Sequence, residues 1–113
     1  MPKTNTEVVF LYVTAPDADV ADQIAETVIA DKCAACVNIL PGMRSVYEWG
    51  GKVECAEECV LIVKTTAAAA PAARDAIINA HPFDTPCVAA LPVDPAGSST
   101  AFLDWICAET KRN

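Results

Sequence analysis

His81, the lone histidine, lies close in sequence to Asp84 and Cys87, so one short stretch offers nitrogen, oxygen and sulfur donors. A mixed, borderline-soft set of this kind suits a transition-metal ion. Structural roles compete with that reading. His81 follows a helical stretch, where a protonated imidazole interacts favourably with the helix dipole and the last carbonyls, and Cys87 serves equally well as a packing residue. Taken as nucleophile and base, Cys87 and His81 would make a thiol enzyme, with Cys36 as the other thiol to weigh. No oxyanion-donor cluster, Walker loop, dinucleotide-binding glycine fingerprint or metalloprotease signature accompanies them. The expectation is a protein that is not an enzyme.

The other cysteines raise the question of zinc. Cys33 and Cys36, with Cys55 and Cys59, superficially resemble two halves of a tetrad. Cys55 and Cys59 share the apolar face of an extended segment with Val53, Leu61 and Val63, which separates them by roughly 13 Å. Thiolates on one zinc lie about 4 Å apart. Cys33 and Cys36 straddle a helix end without the glycine that lets a knuckle turn. Core thiols are therefore favoured over a zinc site. The first residues are polar, with no apolar signal segment, so the six cysteines are expected to be reduced, without a structural disulfide, in a cytoplasmic protein.

The elements that must position these groups follow from periodicity. Glu7 to Thr14 alternates two apolar sets and suits a strand buried on both sides. Ala15-Pro16-Asp17 breaks it, and Val20, Ala21, Ile24, Ala25, Val28 and Ile29 form a helical stripe ending near Lys32. Two long extended arms, Val37–Trp49 and Lys52–Lys64, meet at Gly50-Gly51, and Pro41-Gly42 kinks the first. A helix over roughly Ala67–Ala80 is stopped by His81-Pro82, a strand covers Cys87–Val93, and Ser98 or Ser99 caps a last helix carrying Phe102, Leu103 and Ile106. The order predicts an α+β, ferredoxin-like βαββαβ sandwich in one domain, residues 1–113, with two helices on one sheet face and the other face uncovered.

The hairpin is too long for its domain. Each arm spans roughly 40 Å, whereas a compact chain of this size is about 34 Å across. An overhanging, partly apolar hairpin aggregates unless something pairs with it, so an oligomer is expected, with Tyr47 and Trp49 as interface anchors. Arg44, Lys52 and Lys64 are expected to be solvated or to pair across the hairpin with Glu54, Glu57 and Glu58. Fifteen acidic against eight basic side chains leave a net charge of −7. That charge repels phosphate backbones and anionic lipid, which disfavours nucleic acid and membranes as partners, and it concentrates cations without selecting one.

Several motifs together resemble the divalent-cation tolerance (CutA) family: Thr14-Ala15-Pro16-Asp17, the long run from Ala34 through Cys36, Asn38 and Leu40 to Pro41-Gly42, Ser45, Tyr47, Trp49, Gly51, Lys52, Lys64-Thr65, His81-Pro82-Phe83 with Pro86, Leu91-Pro92-Val93, and Trp105. The resemblance covers Val8 to Ala108. It implies a ferredoxin-like subunit in a tight homotrimer whose hairpins pair between subunits, an architecture similar to the PII signalling proteins, and a link to copper or other divalent cations. Some members carry a Cys before the Thr-Ala-Pro-Asp motif and a second His before His-Pro, proposed as metal ligands. Val13 and Ala80 stand there in this chain. Phe83-Asp84 replaces the usual Tyr-Glu, and Cys87 a Glu, so a metal site would be weak or rebuilt around His81, Asp84, Cys87 or Cys36. The expected function is a trimer binding a metal ion or small ligand at inter-subunit clefts; the alternative is a trimeric scaffold for a protein partner, without metal.

Overall fold

The computed structural model describes residues 7–110. Its elements are β1 (Val8–Ala15), α1 (Ala18–Ala30), β2 (Cys36–Trp49), β3 (Lys52–Thr66), α2 (Ala70–Ala80), β4 (Val88–Pro92) and α3 (Thr100–Glu109), with a 3-10 turn at Pro95–Gly97 before α3. The strands form one antiparallel α+β sheet in the order β2-β3-β1-β4. Strand alternation separates two faces. Leu11, Val13 and Ala15 of β1, with Cys59, Leu61 and Val63 of β3, pack against Ala21, Ile24 and Val28 of α1 and Ala73 and Ile77 of α2. Burial of each large aliphatic side chain in this layer stabilises the fold by about 1.5–3 kcal/mol.

Local chemistry sets the element ends. Asp17 caps α1 by accepting a hydrogen bond from the Val20 amide at 2.9 Å. At the other end the amides of Lys32 and Cys33 donate to the carbonyls of Ile29 and Val28, and Lys32 takes φ 60°. A lysine thus occupies the left-handed position that glycine usually holds, at a cost of about 1–2 kcal/mol. The second helix begins later than its alanine run suggests: Ala69 precedes it, and the Ala69 amide is held by Thr66 Oγ1 at 3.1 Å. Ser99, rather than Ser98, caps α3 through the Phe102 amide. Gly50 and Gly51, at φ 60° and 82°, make the tight turn that two positive-φ residues allow.

The hairpin projects as its length requires. The molecule measures 54 × 28 × 20 Å, far longer than a compact chain of this size at about 34 Å. A register shift between Leu40 and Met43 takes up Pro41-Gly42 as a bulge without ending the ladder. Beyond it Val46, Trp49 and Val53 are 67%, 74% and 76% exposed.

The expectation of an uncovered second sheet face is corrected, as is that for Lys64, while Arg44 and Lys52 are exposed and make no cross-hairpin ion pair among the described residues. The second sheet face is covered at one end by α3, whose Ile106 is fully buried and whose Phe102 ring, with Phe10 of β1, flanks Lys64 Nζ at 5.4 and 5.7 Å. Lys64 is therefore held by aromatic rings. Arg44 stands opposite Glu57 in register, yet its Nη2 donates to Cys55 Sγ at 3.5 Å, and Glu58 accepts from Ser45 Oγ at 2.8 Å. Among the described residues the ion pair formed is Arg74–Asp75, on α2.

Candidate functional site

The stretch from His81 to Cys87 links α2 to β4 and lies beside the end of β1. His81 closes α2 with extended backbone, its amide donating to the Ile78 carbonyl, and its ring turns inward to 7% exposure. Nε2 lies 2.8 Å from the Thr14 carbonyl, and the Phe83 amide donates to Nδ1 at 3.2 Å. Because Nδ1 accepts, the proton belongs on Nε2, which donates to Thr14. The Phe83 ring packs on the imidazole with centroids 4.9 Å apart. Bonds to Thr14 and Phe83 thus replace the expected contact with the last carbonyls of the helix.

The other candidate ligands do not gather around it. Asp84 and Cys87 are exposed, and Cys36, at the start of β2 opposite Lys64, is half-buried. Among the described residues no three His, Cys, Asp or Glu side chains are grouped to hold a metal ion. Val13 is fully buried in the core layer, and Ala80 packs against that layer. Within one chain, then, these donors are not gathered, and to ligate an ion either nitrogen of His81 would have to give up its bond to Thr14 or Phe83.

Cys33 and Cys59 are core thiols, and Cys55 is exposed beside Arg44. The Cys33–Cys36 segment is tied down by backbone groups instead of a metal. Thr65 Oγ1 donates to the Cys33 carbonyl at 2.7 Å, and the Ala35 amide donates to the Lys64 carbonyl at 2.8 Å. Thr14 and Thr65 are the residues that sequence reasoning passed over. Each sits inside a recognisable motif, but its partner lies 67 or 32 positions away, which no local spacing reveals.

Burial first, and Asp31 second, push the Cys33 thiol up from its ordinary value; burial and then Asp104 do the same for Cys107. The folded chain thus holds the Cys33 proton more tightly than the unfolded chain does. That stabilisation is complete below the unfolded thiol value of about 8.5 and is lost as pH rises through the folded value. Denaturant midpoints taken from pH 7.5 to 10 should fall less steeply in Cys33→Ala than in the parent protein; parallel curves would remove Cys33 from the linkage.

Among the described residues no helix is long and apolar enough to cross a membrane. The family model for the CutA1 divalent ion tolerance protein matches residues 9–109. The chain is 41% identical over 97 residues to the divalent-cation tolerance protein CutA of Archaeoglobus fulgidus, covering 86% of this chain and 92% of that relative. It is 38% identical over 103 residues to the chloroplastic protein CutA of Arabidopsis thaliana, covering 91% of this chain and 56% of the relative, so it spans only about half the length of some curated relatives. The crystal structure of CutA1 from Oryza sativa superposes with a TM-score of 0.91 at 36% identity, covering 98% of this chain and all of that one. The Thermus thermophilus divalent cation tolerance protein gives 0.85 at 36% identity, covering 92% and 99%. Motif, topology and whole-chain similarity agree, and the chain belongs to the CutA1 divalent ion tolerance family.

Proposed function

We propose that the protein is a cytoplasmic, non-enzymatic homotrimer of ferredoxin-like subunits, similar in architecture to PII, that binds copper, another divalent cation or a small ligand at inter-subunit clefts and serves metal tolerance. The observation that carries this reading is the hairpin. It stands clear of its own body and exposes Val46, Trp49 and Val53, side chains that a partner subunit would cover. Relatives titled as divalent-cation tolerance proteins supply the ligand class. The free thiols at Cys33, Cys36, Cys55, Cys59 and Cys87 suit a reducing compartment. Since one subunit does not group the donors, an ion at His81, Asp84, Cys87 or Cys36 requires groups brought by a neighbour, and His81 must release a bond.

A second reading is a trimeric scaffold for a protein partner, with no ion involved. It is favoured by His81, whose ring nitrogens are both engaged structurally. Native mass spectrometry of metal-free protein, alone and with limiting Cu(II) or Zn(II), separates the two. The leading reading expects a trimer taking one ion per subunit, with thermal stability raised because the ion binds only the native state. A trimer that takes up no ion turns to the scaffold, and a monomer at micromolar concentration removes both.

A further inference from the structure

A groove of about 300 Å³ opens between α2 and the β1–β4 pair, on the sheet face that carries the helices. Val9, Leu11, Val88 and Ala90 form its floor, and Ala70, Pro71 and Arg74 its helical side. The space arises from small side chains. Ala90 stands opposite Leu11 in the ladder, and α2 opens with Ala70, Pro71 and two further alanines, so neither wall reaches the other.

Among the described residues Arg74 is the only charged one lining the groove, in a chain of net charge −7. Its Nε donates to Asp75 Oδ1 at 2.9 Å. Among the described residues no hydrogen bond engages the two terminal nitrogens of its guanidinium, and these present the paired N–H geometry that matches a carboxylate. At about 30 Å³ for each water-sized volume, the groove holds about ten heavy atoms. An apolar trough with one polar anchor is the usual form of a small-ligand site.

We propose that this groove binds a medium-chain aliphatic carboxylate of octanoate size, its tail along Val9, Leu11 and Val88 and its head at Arg74. The site does not depend on the metal-binding reading, since it shares no residue with the His81 to Cys87 stretch.

Isothermal titration of the full chain with octanoate, octylammonium and octanol tests it. Octanoate should bind once per chain with sub-millimolar affinity and octylammonium far more weakly. Arg74→Gln, at an exposed position, should weaken octanoate about tenfold, as loss of a charge-assisted pair does, and leave octanol unchanged. Ala90→Leu and, separately, Ala70→Leu should abolish both by filling the groove, with thermal unfolding of each confirming a folded protein. Equal binding of octylammonium and octanoate, octanoate heats that survive both filling substitutions, or no saturable binding would each overturn the proposal. So would a change of oligomeric mass in the filled variants, which would show that a second copy occupies the groove.

Discussion

A variant with Val46, Trp49 and Val53 all replaced by serine is expected to sediment as a folded single chain at micromolar concentration, where the proposed function expects the parent protein to sediment as a trimer. The three residues sit near the hairpin turn, Trp49 opposite Lys52 and Val53 opposite Glu48 in register, and none belongs to the core cluster. Their removal therefore leaves the subunit's own packing intact. A tryptophan anchor at the centre of an interface is typically worth at least about 2 kcal/mol on truncation, and a closed trimer contains three copies of that contact. The summed loss lowers association by several orders of magnitude, since each 1.4 kcal/mol is tenfold. A variant that keeps the parent's mass and concentration dependence would place the interface elsewhere on the surface.

His81→Ala is expected to destabilise the subunit by about 2–5 kcal/mol, because it strands two groups at once. The Thr14 carbonyl loses its donor and the Phe83 amide its acceptor, each worth about 1–3 kcal/mol when left unsatisfied in a buried setting. The tilted ring contact with Phe83 disappears with them. His81→Gln, which carries both a donor and an acceptor, should recover part of the loss. The measurement is the urea midpoint, taken at fixed protein concentration with and without a chelator. An equal loss in both solutions assigns His81 to holding β1 against the α2–β4 connection. A loss that vanishes in chelator would instead make the residue a ligand whose ion stabilises the fold.

Much of the architecture was legible because it rests on local patterns. The alternation in Val8–Ala15, the helical stripe of Val20, Ile24 and Val28, and the Gly50-Gly51 turn each signal one element, and β2 and β3 pair as adjacent segments do. What was not legible depends on contacts between distant segments. Lys64 was expected in solvent or paired with glutamates, but its environment is made by Phe10 and by Phe102, on a helix whose place over the second sheet face no periodicity could give. Arg44 had the right neighbour in Glu57, yet exposed ion pairs contribute too little to fix a side chain, and the guanidinium turns to Cys55. His81 was found as the singular residue of the stretch. The carbonyl that holds its ring belongs to the first strand, 67 positions away, which no local spacing shows.

The position of β1 has a consequence for how the chain is made. It precedes the other described strands in the chain, yet both of its sheet neighbours, β3 and β4, come later, β4 near the end of the described residues. Until β3 is made α1 alone can shield Leu11 and Val13, and the β2–β3 ribbon, whose strands are adjacent in sequence, is free to zip first. Assembly thus waits on a long loop closure, which slows folding and prolongs exposure of a strand pair with sticky edges. The sequence separation of β1 from β4 therefore makes this edge of the sheet the last to close.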